Sequence, residues 1–186
     1  CRSLFVSGLL STVLGILGAL MTATTPSDIQ AGVNAWTNNG PAAMPVHTLE
    51  IDPGSGTLFA GAEGGVYKST DGLGWTAMNS GLPYLTYTLA IDPTDPSTMY
   101  AGTGYVDIGP GTSLGAVFKT SDGGLNWTAV NASSSFSGRV TALAIDPTSP
   151  ATLYAIADES GGDGLLRSSD GGLSWTAIYR FSGRIL

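Results

Sequence analysis

The sequence offers little machinery for covalent chemistry. It has 186 residues, with fourteen carboxylates but a single histidine, His47, and a single cysteine, Cys1. Serine hydrolysis needs a Ser, a His and an acid brought together. One His without a nucleophile elbow does not supply that trio. There is no phosphate-cradling glycine loop and no His/Cys pair at metal-ligand spacing, and no cofactor is expected. What remains is oxygen chemistry. Asp158-Glu159-Ser160-Gly161-Gly162-Asp163-Gly164 could offer Asp158 and Asp163 to Ca²⁺, although the run lacks the residue order of an EF-hand loop; the other reading is a solvated acidic loop. Arg139 and Arg184 carry the charge an anion would need, and each also repeats the other's surroundings.

The elements that must position these groups are written as repeats. Thr120-Ser121-Asp122-Gly123-Gly124-Leu125-Asn126-Trp127 returns as Ser168-Ser169-Asp170-Gly171-Gly172-Leu173-Ser174-Trp175, and one residue shorter as Ser69-Thr70-Asp71-Gly72-Leu73-Gly74-Trp75. A hydroxyl and a carboxylate two residues apart can turn back onto backbone N–H groups and close a tight turn. Glycine admits the positive φ such a bend requires, and the Trp can lie over it and bury a large apolar area. The unit reads as a self-stapled hairpin tip and needs no ligand to explain it.

This pattern, Ser/Thr-x-Asp-x-Gly-x-x-Trp, resembles the Asp-box, or bacterial neuraminidase repeat, of sialidase-like β-propellers. Trp75, Trp127 and Trp175 stand 52 and 48 residues apart, the length of four-stranded blades. The resemblance covers residues 33–186 and implies an all-β fold. It implies no activity, because one fold hosts many functions.

Composition agrees. Only 11% of residues are charged, with 27 Gly and 10 Pro, which favours a turn-rich all-β chain. A net charge of −7 argues against a nucleic-acid partner, which needs a basic face. Arg2 ahead of the uncharged run Leu4–Met21 predicts an apolar N-terminal helix, either a signal peptide or a membrane anchor over residues 1–23. Both place the remainder outside the cytoplasm. A linker over 24–32 precedes the propeller fragment, 33–186.

Within it three four-stranded blades are expected, over about 46–80, 86–132 and 140–180. First strands at Val46–Ile51, Thr86–Ile91 and Val140–Ile145 each run into Asp-Pro. A stray strand around Trp36 and an opening strand at the end, where Phe181-Ser182-Gly183-Arg184 repeats Phe136-Ser137-Gly138-Arg139, suggest a piece of a larger ring. Further blades from more chain or from another copy would then complete it.

Each blade's Asp-Pro turn and box share one face of such a disc and hardly vary. Ser69, Asp71, Trp75, Thr120, Asp122, Gly124, Trp127, Ser168, Asp170, Gly172 and Trp175 are therefore structural, as are Lys68, Lys119 and Arg167. Ligand contacts are expected on the opposite, variable face. The candidates there are Tyr84, Tyr105, Asp107, Arg139 and His47, with a glycan or a protein as partner. Near-identical blades and the lack of a complete catalytic set favour a non-catalytic extracellular binding or scaffold module. Its alternative is part of a glycoside hydrolase. The Arg-Ile-Pro signature of sialidases is replaced by Ala43-Met44-Pro45-Val46. Xyloglucanase-type enzymes place a catalytic Asp before a Gly-Gly pair after a second strand, and Glu63 precedes Gly64-Gly65 at that place. An inverting pair needs a second carboxylate roughly 6.5–9.5 Å away, which in that family comes from another propeller.

Overall fold

The computed structural model describes residues 40–41, 44–83, 85–104, 106–107, 113–130, 138–159 and 162–183. The expected N-terminal helix, the linker, the Trp36 strand and Arg184 lie outside them. Every regular element among the described residues is a β-strand.

The strands form three antiparallel sheets of four. Blade 1 is β1 (Val46–Ile51), β2 (Leu58–Ala62), β3 (Gly65–Ser69) and β4 (Thr76–Ala77), paired in that order. Blade 2 is β5 (Thr86–Ile91), β6 (Met99–Thr103), β9 (Val117–Thr120) and β10 (Thr128–Ala129). Blade 3 is β11 (Val140–Ile145), β12 (Leu153–Glu159), β13 (Gly162–Ser168) and β14 (Thr176–Arg180). A short ribbon, β7 (Val106–Asp107) with β8 (Ser113–Leu114), interrupts blade 2 between its second and third strands.

First strands fall where expected, and each second strand begins directly after a Thr. Thr57, Thr98 and Thr152 are spent on closing the Asp-Pro turns: their carbonyls accept from the N–H of Asp52, Asp92 and Asp146 at 2.9–3.0 Å. The aspartate side chains take further donors inside the same turns, such as Gly54 N–H at 2.9 Å and Thr148 N–H at 2.9 Å. The box turns close as their residue types dictate. Thr120 Oγ1 accepts from Gly124 N–H at 3.1 Å, and Asp122 accepts from Asn126 N–H at 2.9 Å. Gly123 and Gly124 sit at φ 71° and 92°, repeated by Gly171 and Gly172.

The core lies between blades. Phe59 and Val66 of blade 1 pack with Leu89, Met99, Ala101, Phe118 and Trp127 of blade 2; Tyr100 and Val117 of blade 2 pack with Val140, Leu153, Ala155, Ala157 and Leu166 of blade 3. Each large side chain so buried contributes about 1.5–3 kcal/mol. Glycine sets the spacing. A Cβ added at Gly61 would stand 2.9 Å from Thr86 Cγ2, and one at Gly102 2.7 Å from Val140 Cγ1. The second strand of one blade is thus grooved for the first strand of the next. The recurrent cations lie over rings: Lys68 Nζ is 5.7 Å from the Phe59 centroid and Lys119 Nζ 5.4 Å from that of Tyr100.

Candidate functional site

Each first strand carries the same irregularity at its second residue. The register against the partner strand shifts between Val46 and Thr48, between Thr86 and Thr88, and between Val140 and Ala142. His47, Tyr87 and Thr141 are therefore bulge residues. A bulge inserts an unpaired residue and re-aims its side chain, a device common beside binding sites. Packing constrains the neighbours of these three positions and leaves the bulge residue free to differ between blades.

Two of the bulges meet, and Arg139 joins them. The His47 and Tyr87 rings lie 4.8 Å apart at 31°, bridging blades 1 and 2. Over the same Tyr87 ring, 5.3 Å away, stands the Arg139 guanidinium of blade 3. Arg139 Nη2 donates to Asp158 Oδ2 at 2.8 Å, with the Arg side chain 32% and the Asp side chain 10% exposed. The bond to Asp158, then the Tyr87 hydroxyl, push the Arg139 pKa above its ordinary value. The result is a ladder of imidazole, phenol, guanidinium and carboxylate crossing three blades. Two stacked rings make a platform for an apolar ligand face, and guanidinium N–H groups donate to oxygens at its rim.

Local sequence explains how Arg139 gets there. A Cβ on Gly138 would fall 1.2 Å from the Asp158 carbonyl oxygen, so only glycine allows the chain to cross β12 at that point. Asp158 N–H then donates to the Arg139 carbonyl at 2.8 Å. Backbone and side chain together fix the guanidinium.

The structure redistributes the expected site residues. His47 and Arg139 come together through Tyr87, which stands outside the expected site residues. A signal was present: the second position of the first strand reads His, Tyr, Thr, while the fourth and sixth stay Leu and Ile. Asp158 and Asp163 do not sit in a solvated loop. They are nearly buried, and they face each other as cross-strand partners on β12 and β13, whose hairpin extends to Glu159 and Gly162. No group of three or more His, Cys, Asp or Glu able to hold a metal occurs among the described residues. Glu63 is exposed in the β2–β3 turn, at the same end of the blades as His47, its N–H donating to the Pro45 carbonyl at 3.2 Å. Asp107 lies in β7. Tyr84 and Tyr105 lie outside the described residues. Glu50, on the inner strand β1, is half-buried, and desolvation raises its carboxyl pKa.

No family model matches the chain, and no curated protein sequence does. Solved structures share its fold. It is similar to the GH74 xyloglucanase from Xanthomonas campestris at 25% identity, over 72% of this chain and 21% of that one, with a TM-score of 0.54. It is similar to a GH74 enzyme from Niastella koreensis at 24% identity, over 74% and 22%, with a TM-score of 0.58. A chain of a nidogen/laminin complex matches at 13% identity, over 74% and 49%, with a TM-score of 0.54. The chain thus spans about a fifth of the length of the two GH74 enzymes. The likeness supports reading the three sheets as blades of a partial β-propeller.

Proposed function

We propose that this chain is the ligand-binding part of an extracellular β-propeller, and that it holds a polysaccharide at the inner-strand ends where His47, Tyr87 and Arg139 meet. One observation carries the reading: two bulge side chains, His47 and Tyr87, and the Arg139 guanidinium converge from three blades, while the opposite face spends its polar groups on its own turns. A sugar ring stacks by its C–H face on the imidazole–phenol pair, and its hydroxyls accept from Arg139, which Asp158 holds flat. Isothermal titration against soluble xyloglucan and a panel of neutral and acidic oligosaccharides tests this. Tyr87→Ala and Arg139→Ala should each weaken binding at least tenfold with an unchanged circular dichroism spectrum. Binding retained in both variants refutes the site.

A second reading rests on the xyloglucanase likeness together with the exposed Glu63 ahead of Gly64-Gly65. Here the chain is part of a glycoside hydrolase and Glu63 one of its two carboxylates. Release of reducing ends from xyloglucan, abolished by Glu63→Gln while titrated affinity is kept, would replace the binding module with the enzyme.

A further inference from the structure

On the face of the box turns most polar groups close their own turns, but three at the junction of blades 2 and 3 do not. They line a cavity of about 300 Å³, walled by Asp92, Tyr100 and Lys119 of blade 2 and by Ala151, Asp170 and Gly171 of blade 3. That volume suits a small molecule. Asp92 is 7% exposed. Its Oδ1 accepts from the N–H and the hydroxyl of Thr94 at 2.8 and 2.7 Å, whereas Oδ2 takes no donor among the described residues. Tyr100 is 2% exposed, and its hydroxyl has no hydrogen-bond partner among the described residues. Lys119 is its cross-strand partner, with Nζ 5.4 Å from the ring centroid and in no ion pair among the described residues. A nearly buried carboxylate oxygen and phenol are unfavourable without partners. A molecule in the cavity would provide them.

The junction of blades 1 and 2 shows that packing does not require these groups. Phe59 stands there in place of Tyr100, with its cross-strand partner Lys68 over the ring at 5.7 Å. Gly123 N–H donates to the Ser97 carbonyl at that junction and Gly171 N–H to the Ala151 carbonyl at the other, both at 2.9 Å. The blades therefore join without a phenol. Asp52 also gives both oxygens to its own turn, one to Gly54 N–H and one to the Ser55 hydroxyl. The second junction adds a hydroxyl that converges with an ammonium. A Cβ added at Gly171 would lie 3.4 Å from Tyr100 Oη and 3.9 Å from Lys119 Nζ, while one at Gly123 would have nothing within 4 Å.

Charge selects the ligand. Asp92 and Asp170 oppose a simple anion, and Lys119 opposes a simple cation. A molecule carrying both charges satisfies both ends. We infer that this cleft is a second binding site, for a free α-amino acid. The ligand carboxylate accepts from Lys119 Nζ and the Tyr100 hydroxyl, and its ammonium donates to Asp92 Oδ2. Asp170 already accepts from Ser168 and Ser174 with its two oxygens, so it contributes charge rather than a bond. This site is separate from the proposed sugar site, which lies at the opposite end of the blades.

Heteronuclear NMR of the full chain, titrated with L-alanine, propionate and ethylamine, tests the site. L-Alanine should shift the Gly171 amide saturably, with a Kd of about 1 mM, and leave the equivalent Gly123 amide in place. Propionate keeps only the carboxylate and ethylamine only the ammonium, so each should bind about tenfold more weakly or worse. Tyr100→Phe restores the ring found in blade 1 and should fold unchanged while weakening L-alanine about tenfold. Lys119→Met should do the same, as should Asp92→Asn, which keeps the Oδ1 acceptor of its turn. No saturable shift up to about 20 mM L-alanine overturns the proposal. So does propionate or ethylamine binding as tightly as L-alanine, or undiminished binding by Tyr100→Phe and Lys119→Met. His47, Tyr87 and Arg139 are untouched in these variants, so their titration with xyloglucan should match that of the wild type. Failure of the amino-acid site is thereby read separately from failure of the sugar site.

Discussion

The indole of Trp127 in blade 2 donates to the backbone carbonyl of Met78 in blade 1 at 2.9 Å. A residue that the sequence marks as the lid of its own hairpin is therefore also a clasp on its neighbour. Trp175 behaves otherwise, its Nε1 donating to Gly172 within its own box at 2.9 Å.

The clasp makes two similar substitutions unequal. Trp127→Phe leaves the Met78 carbonyl without its donor and should cost about 1–3 kcal/mol. Trp75→Phe removes a donor that has no acceptor among the described residues, and it should be neutral or slightly stabilising. Urea unfolding of both variants at low micromolar concentration compares them directly.

Glycine spacing between blades predicts a second contrast. An alanine at Gly102 would set its Cβ 2.5 Å from Thr88 Cγ2 and 2.7 Å from Val140 Cγ1, inside a packed interface. Overpacking of this kind costs about 1–3 kcal/mol. Gly74 has nothing within 4 Å of its added Cβ, so Gly74→Ala should change stability by no more than about 0.5 kcal/mol. Thermal melts of the two variants give the comparison.

The box carboxylates predict acid sensitivity. Asp122 and Asp170 are lowered from 3.8 to about 2, first by the side chains of Asn126 and Ser174, then by the backbone N–H groups of the same residues, then by Thr120 and Ser168. With the folded pKa below the unfolded one, the folded state keeps these groups charged where the unfolded chain binds protons. Their stabilisation is complete above the unfolded value and drains as pH falls from about 4 to about 2. Melting temperatures measured from pH 5 to pH 2 should drop through that window. In Asp122→Asn/Asp170→Asn the drop should be shallower, starting from a lower melting temperature at pH 5.

Removing either end of the Arg139–Asp158 pair should hurt unequally. Arg139→Met removes the guanidinium that balances a nearly buried carboxylate and should cost about 2 kcal/mol, whereas Asp158→Asn leaves a neutral acceptor facing a guanidinium that reaches solvent and should cost about half as much. Denaturant titrations at pH 7 measure both. The reverse ranking would mean that the guanidinium, through Tyr87, is the more dependent partner.

Much of this protein could be read from its residues in order. Ser/Thr, Asp, Gly and Trp at fixed spacing determine the box turns, because each hydrogen bond there closes within a few residues. The ends of the first strands follow from the Asp-Pro punctuation, and blade length from the recurrence of Trp75, Trp127 and Trp175. Tertiary structure decided what depends on neighbours distant in sequence. It put a bulge under His47, Tyr87 and Thr141, and it laid Arg139 across a ring more than fifty residues earlier in the chain. It also turned Asp158 and Asp163 from loop acids into buried strand partners. A turn is settled by bonds that the local chain makes with itself. A side chain's company on an inner strand is settled by how closely one blade approaches the next, which here rests on the absence of a Cβ at Gly61 and Gly102.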